Sequence, residues 1–413
     1  MKIRSIDDLD VDGKRVLLRV DINSPIDLTT GKIRDDNRLR MSLPTIRDLS
    51  AAGAILVMIA HQGDTLDYHN LVPLEEHALL LSAMLERPVV YIDDVAGPAA
   101  RDAIRRLEPG AILLLDNLRF LTEEVSTFEN AVKLSAGEMT GTYLVRNLAP
   151  LFDIYVNDAF AAAHRNAPSM VAFQELLPTA GGRLLVAELE ALSGVAEHPN
   201  RPCVFVLGGL KISDAFSMMR KVLAEDIADV VLTSGITGQV MLMAGGTELG
   251  EPSEQFIRDR SLDAFLAPAA EYLATYPDKI RVPVDVAYDG GGTRVELKVN
   301  ELPAAAPIID IGSGTIEAYR RIIASAATVF VNGPAGVYES EVGSRGTREL
   351  WSAIAAADGH SVIGGGDTVA SARRFVDLDD IGFVSTGGGA LIRYLSGQPL
   401  PLLEAMEKAA SLP

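Results

Sequence analysis

Short apolar runs of four to seven residues, rich in Val, Ile and Leu, recur along the chain. Most are followed by a turn signal and then by a stretch with helical spacing. In the first half, Val16 to Val20, Ile55 to Ala60, Val89 to Ile92, Ile112 to Leu115 and Ile154 to Val156 predict strands. In the second half the strands are Val204 to Leu207, Val230 to Thr233, Ile308 to Ile311, Val329 to Val331, Ser361 to Ile363 and Phe383 to Ser385. Near-continuous hydrophobicity implies that helices cover both faces of each sheet, and hence that the strands are parallel. The expected fold class is α/β, with two doubly wound parallel-sheet, Rossmann-like domains. Between the two sets, Ala180 to Ala196 opens on Gly181-Gly182, has helical character and no strand pattern, and is followed by Pro199 and Pro202. It reads equally as a mechanical connector and as a helix packed on one sheet. The expected division is residues 1–180, a connecting helix 181–196, a second domain 197–395 and a tail 396–413.

Composition narrows the class. At roughly 150 residues per domain, 413 residues suit two or three domains. The 37 Lys and Arg against 56 Asp and Glu give a net charge of −19, which argues against nucleic acid or an anionic membrane as partner. The single cysteine, Cys203, lies in an apolar run and has no disulfide partner, which suits a reducing compartment. The charged start, Met1 to Asp8, lacks the apolar core of a signal peptide, and Ala51 to Ala60 is far short of the roughly 20 residues that span a bilayer. A cytoplasmic protein is expected.

In open parallel sheets, ligands bind beyond the carboxyl ends of the strands. Those ends differ sharply between the halves. The first half carries charge and imidazole there: Arg19-Val20-Asp21-Ile22-Asn23, His61-Gln62-Gly63, Asp116-Asn117-Leu118-Arg119, and Asn157-Asp158 with His164-Arg165, joined by Arg38 after Asp35-Asp36-Asn37. Any one Arg is read most simply as paired with a neighbouring carboxylate, as Arg19 with Asp21. Their recurrence at successive strand ends points instead to a small polyanion, whose oxygens match guanidinium forks.

The second half carries glycine at six strand ends: Gly208-Gly209 before Lys211, Ser234-Gly235, Gly312-Ser313-Gly314, Asn332-Gly333-Pro334-Ala335-Gly336, Gly364-Gly365-Gly366-Asp367-Thr368 and Gly387-Gly388-Gly389. Glycine lets backbone approach a ligand closely, and a following helix directs N–H groups and its positive dipole end at phosphate. Neither a Walker A sequence nor a Gly-x-Gly-x-x-Gly fingerprint follows a strand, which disfavours P-loop enzymes and standard dehydrogenases. Asp367 reads as an N-cap or, facing phosphates, as a magnesium ligand. Lys211 stands where a phosphate-neutralising cation is wanted.

Together these residues resemble the phosphoglycerate kinase family. Val16 to Pro25 is similar to its N-terminal signature. Asp35 to Arg40, Leu113 to Phe120, Tyr155 to Arg165, Gly208 to Asp214, Asn332 to Val337, Gly364 to Thr368 and Ser385 to Ala390 match family blocks in order, over nearly the whole chain. His77 to Phe120 and Val145 to Pro168 look most like the archaeal branch. The resemblance implies reversible, magnesium-dependent phosphoryl transfer from 1,3-bisphosphoglycerate to ADP, giving 3-phosphoglycerate and ATP. It implies that Asp21, Asn23, Arg38, His61, Gln62, Gly63, Arg119 and Arg165 bind the acid in the first domain. Lys211, Gly235, Asn332, Glu339, Gly365, Gly366, Asp367 and Thr368 are implied to hold the nucleotide in the second, with Asp367 on Mg2+. Arg38, Lys211, Gly388 and Gly389 are implied to surround the transferred group. A hinge at 181–196, a tail folded back on the first domain, and a monomer, with a homodimer as the alternative, complete the expectation.

The chain departs from the family pattern twice. Asp64 stands after His61-x-Gly63 where the family usually has Arg, and Ala215 stands where many members carry Lys. Asp64 keeps two other readings open: a nucleotide-binding relative that has lost catalysis, and a kinase for a different acyl phosphate.

Overall fold

The computed structural model describes residues 3–411. They divide into two compact units, one running to Leu189 and resumed from Pro399, the other Glu190–Gln398.

The first unit is built on a six-stranded parallel sheet: β1 (Arg15–Arg19), β2 (Ile55–Ile59), β3 (Val90–Ile92), β4 (Ile112–Leu115), β5 (Ile154–Asn157) and β6 (Thr179–Gly181), in the order β3-β4-β2-β1-β5-β6. The two central strands are wholly apolar inside, Val16 to Leu18 and Leu56 to Ile59 all being buried. The helix Asn37–Ala51 covers this sheet through Leu39, Leu43, Ile46 and Leu49, spaced three to four residues apart. Its first turn therefore carries Arg38 close to the strand ends.

The strand order reverses direction at β1. Chain leaves to β2 on one side and returns to β5 on the other, which opens a crevice beyond the carboxyl ends.

Ala180 to Ala196 departs from the expectation. Its first residues form β6, which was unreadable because Thr-Ala-Gly has no apolar run, and the helix proper is Arg183–Ala196. The helix start is tied to the first unit: Arg183 bridges Asp7 and Asp48, its N–H donates to the Thr45 hydroxyl at 2.8 Å, and the Leu185 N–H donates to Asp158 at 3.0 Å. The boundary between the units falls inside this helix, after Leu189. From Pro399 the chain rejoins the first unit, where the helix Pro401–Ala410 is held by Leu402 N–H to the Ala163 carbonyl at 3.2 Å and Lys408 to Glu175 at 2.6 Å.

The second unit has its own six-stranded parallel sheet and a small antiparallel one. Its strands are β7 (Cys203–Leu207), β8 (Val230–Thr233), β9 (Ile280–Arg281), β10 (Asp285–Asp289), β11 (Arg294–Lys298), β12 (Ile308–Ile311), β13 (Thr328–Asn332), β14 (His360–Gly364) and β15 (Phe383–Ser385). The main order is β15-β14-β13-β7-β8-β9, again reversing at its central strand, and Cys203 is fully buried in that strand.

The expectation of a parallel Ile308–Ile311 is corrected. That strand pairs antiparallel with β10 in the separate sheet β11-β10-β12. The hairpin β10–β11 turns through Gly290 to Gly292, and its alternating charges hid it from a search for apolar runs. Among the described residues no helix is long and apolar enough to cross a membrane.

Candidate active site

At the carboxyl ends of β1, β2, β4 and β5, the first unit gathers four guanidinium groups round one imidazole. Arg19 is buried, bonds its own strand end at the Val20 carbonyl, and donates to Nδ1 of His61 at 2.8 Å and to the Ser169 hydroxyl at 3.3 Å. It is not paired with Asp21, which instead accepts from Arg38. A guanidinium only donates, so Nδ1 of His61 must accept, leaving Nε2 as the N–H donor of a neutral ring. Burial holds the His61 pKa well below the ordinary imidazole value, and the charges of Arg19, Arg119, Arg165 and Arg38 lower it further. His61 thus serves as a neutral hydrogen-bond donor amid positive charge.

Arg119 donates to the Gly63 carbonyl, and burial followed by the charge of Arg165 pushes its pKa down to about 10. Arg165 meets Glu129 at 2.5 Å. Asp64 turns inward: its carboxylate lies 3.1 Å from Arg119 and 3.7 Å from Arg165 and accepts from the Ser126 hydroxyl. Burial alone would raise its pKa, but the Ser126 hydroxyl, the Arg119 charge and Thr65 outweigh this and hold it below the usual carboxylate range.

Asn23 accepts the Gly63 N–H at 3.1 Å, fixing the loop that carries His61. Gln62 is placed differently from the other expected acid-binding residues. It is fully buried, its amide oxygen accepting from Ser24 N–H and its amide nitrogen donating to the Ser24 carbonyl, both at 2.8 Å. Its side chain is spent on joining two strand-end loops. Gly63 belongs to the same frame, since a Cβ there would overlap the backbone of Asn70.

The second unit holds a cavity of about 860 Å³. All the expected nucleotide-side residues line it: Lys211, Gly235, Asn332, Glu339, Gly365, Gly366, Asp367 and Thr368, with Gly388 and Gly389. Its glycines do two jobs. A Cβ on Gly208 or Gly333 would overlap the opposing backbone, so these two turns pack directly on each other between β7 and β13. By contrast, Gly366, Gly388 and Gly389 have nothing within 4 Å of a Cβ, and they open the helices Gly366–Phe375 and Gly389–Leu395 toward the cavity. Asn332 donates to the Gly364 carbonyl at 2.9 Å, and the buried Thr368 hydroxyl accepts the Gly333 N–H at 2.8 Å, so both brace the glycine turns. Lys211 is exposed at the start of Ile212–Ala224, and Ala215, one turn on, is fully buried. Burial raises the Asp214 pKa and the charge of Lys211 opposes that rise.

The turn Gly312 to Gly314 does not line the cavity. Because β12 runs antiparallel, that turn packs on Asp285, and the start of the strand, Ile308 and Ile309, forms cavity wall instead. These residues and Phe256, which form apolar wall of the cavity, were missed by a reading confined to strand ends. So were Glu124, Ser126, Glu129 and Ser169 of the first unit. The acidic stretch Thr122 to Asn130, following so close on Arg119, was the sequence signal for Glu124, Ser126 and Glu129, and Ser169 had none.

Asp367 is the carboxylate at the cavity's open helix start. Among the described residues no group of three or more His, Cys, Asp or Glu is arranged to hold a metal unaided. Mg2+ commonly takes one or two protein carboxylates and completes its shell with water and substrate phosphates, so an Asp at a helix start on the edge of this cavity fits it.

Two doubly wound sheets, one with an anion site of arginines and the other with a glycine-edged cavity, define a class of two-domain α/β phosphotransferase. The family model described as phosphoglycerate kinase matches residues 6–398. The chain is 44% identical over 408 residues to the phosphoglycerate kinase of Methanothermobacter thermautotrophicus, covering 99% of this chain and 97% of that one. It is 43% identical to that of Halobacterium salinarum, covering 98% and 100%. Among solved structures, phosphoglycerate kinase from Pyrococcus horikoshii OT3 superposes with a TM-score of 0.87 at 38% identity, covering 98% of this chain and 99% of that one. The enzyme from Coxiella burnetii gives 0.83 at 31% identity, covering 99% and 100%. The chain belongs to the phosphoglycerate kinase family.

Proposed function

We propose that the chain catalyses reversible phosphoryl transfer between 1,3-bisphosphoglycerate and ADP, giving 3-phosphoglycerate and ATP, and that it works in the cytoplasm as a monomer. The observation that carries this is the pairing of one site of converging guanidinium groups with one nucleotide-sized cavity edged by open helix N-termini. In the first unit Arg119, Arg165 and the His61 Nε2–H bind the acid's phosphate, Asp21 and Asn23 orient its glycerate part, and Gln62 and Gly63 frame the loop. In the second unit Gly235, Asn332, Glu339 and Gly365 to Thr368 hold the nucleotide. Mg2+ held by Asp367 would screen the phosphate oxygens when bound.

In the synthesis of 1,3-bisphosphoglycerate, a carboxylate oxygen of the acid attacks the γ-phosphorus of ATP and the bond from phosphorus to the β-bridging oxygen breaks. The carboxylate is already ionised at neutral pH, so no general base is required. What remains is alignment and charge neutralisation, supplied by Arg38, Lys211 and the N–H groups at Gly388 and Gly389. Because acid and nucleotide are held on separate units, the reaction requires closure, with the helix Arg183–Ala196 as hinge. Support for an active kinase, rather than for a relative with a lost or altered acid substrate, comes from the named relatives at 41–44% identity over nearly the full length. A coupled assay with Mg2+, ADP and 1,3-bisphosphoglycerate tests it: turnover is expected, and nucleotide binding without turnover would overturn it.

A further inference from the structure

Asp64 has no part in the roles assigned above, yet it is an anion held inside the first site. It sits between Arg119 and Arg165, takes hydrogen bonds from the Ser126 hydroxyl and from Thr65 N–H at 2.7 Å, and is only 17% exposed. The guanidinium groups it meets are 10% and 14% exposed, so little water screens the contact.

The neighbouring carboxylates are locked into the frame. Glu124 takes both the N–H and the hydroxyl of Ser169, at 2.7 and 2.6 Å. Glu129 takes Arg165 and the Asn166 N–H, and Asp21 is buried against Arg38. Asp64 instead begins a surface run in which Thr65 to His69 are all exposed, so its displacement disturbs no core. Beside it, Nη2 of Arg165 is buried with no hydrogen-bond partner, a donor left over for another oxygen.

We propose that Asp64 is a built-in competing anion that neutralises Arg119 and Arg165 in the ligand-free protein and is displaced by the phosphate of the incoming acid. The exchange has a chemical consequence. A monoanion replacing Asp64 gains little net charge attraction, whereas a dianionic phosphate gains an extra charge and satisfies the spare Arg165 donor. Asp64 therefore lowers affinity for all anions, but handicaps simple carboxylates more than phosphorylated acids. This rests on the function proposed above.

The test uses the full chain with Asp64→Asn and, as a second variant, Asp64→Ser. Kinetics with saturating Mg-ATP should show the KM for 3-phosphoglycerate falling about tenfold in both, with the KM for ATP unmoved. Melting followed against inorganic phosphate should show both variants less stable than wild type without phosphate and more strongly stabilised by it. An unchanged or higher acid KM in both variants overturns the inference. Should wild type fail to turn over, the functional reading falls, and the phosphate titration alone decides on Asp64: an equal response in wild type and both variants overturns it.

Discussion

An anion entering the first unit meets guanidinium groups that already hold carboxylates, whereas phosphates entering the second meet open backbone N–H groups on the edge of a cavity of about 860 Å³. The difference follows from the material of each site. Four guanidinium groups packed round a buried imidazole repel one another, and the fold tolerates them only with carboxylates interleaved: Asp21 on Arg38, Asp64 on Arg119 and Arg165, Glu129 on Arg165, and Glu124 near Arg19. Backbone dipoles carry no net charge, so the glycine turns need no counter-anion and can be left open. A site of side-chain charge thus comes with internal competitors, while a site of backbone comes with steric intolerance.

The largest expected effect falls on Arg38. Among the four arginines it is the most exposed, at 34%, and among the described residues its side chain bonds Asp21 alone, so on the function proposed above it is the one to follow the transferred group. Arg38→Ala should lower kcat about a thousandfold, in keeping with the worth of arginines that neutralise transferring phosphoryl groups. Its effect on the KM for either substrate should be much smaller. If steady-state kinetics show kcat within tenfold of wild type, Arg38 is an ordinary partner of Asp21 and the distinction among the four arginines fails.

Next come the glycines, where the contrast between packed and open turns can be broken directly. Gly333 has φ +90° and its Cβ would overlap the Gly208 carbonyl, so Gly333→Ala should cost about 3 kcal/mol of stability, through backbone strain and clash together. Gly389 starts a helix with nothing within 4 Å of a Cβ. Gly389→Ala should leave the melting temperature within about 2 °C while raising the KM for ATP, because the added methyl intrudes only on bound phosphate. Equal melting temperatures for the two variants would falsify the division of glycines into packing and binding sets.

How much of this was readable follows the same line. The six strands of each parallel sheet were visible where an apolar run marked them, as in Ile55 to Ile59, and invisible where no such run did, as in Thr179 to Gly181 and Ile280 to Arg281. Strand-end chemistry located Arg119, Arg165, His61 and the cavity glycines, because a parallel sheet fixes which end of each strand faces the crevice. The same rule misassigned Gly312, since nothing in Ile308 to Ile311 reveals that it pairs antiparallel. It put Gln62 among the acid-binding residues, although that side chain is bonded to the Ser24 backbone, and it was silent on the cavity-wall roles of Ile308 and Phe256, which depend on contacts between segments distant in sequence. The direction of Asp64 is of this kind: its charge was plain in the sequence, but its company, Ser126 and two arginines, is set only by folding.

Asp158 carries the comparison to a carboxylate that, among the described residues, makes no ion pair with an arginine. It sits fully buried at the end of β5, where it accepts from the Leu185 N–H at the start of the helix Arg183–Ala196, and one of its oxygens has no partner. Burial raises its pKa to about 7, only partly opposed by the Thr45 hydroxyl, the backbone N–H groups of Leu185 and Leu184 and the charge of Arg183. Unfolded, it would titrate near 4. Between these values the folded chain holds a proton that the unfolded chain has released, so stability falls as pH rises from about 4 to 7 and this contribution is constant above that. Asparagine offers the same acceptor without the charge. Asp158→Asn should therefore gain about 2 kcal/mol on wild type between pH 5 and pH 8 in denaturant titrations. Parallel pH profiles for the two proteins would mean that the helix N-terminus alone neutralises the carboxylate, as the arginines do elsewhere in this unit. An acidic side chain at that helix start would then be as well served by backbone as phosphate is proposed to be in the second unit, and the contrast between the two kinds of site would narrow to the packing of their glycines.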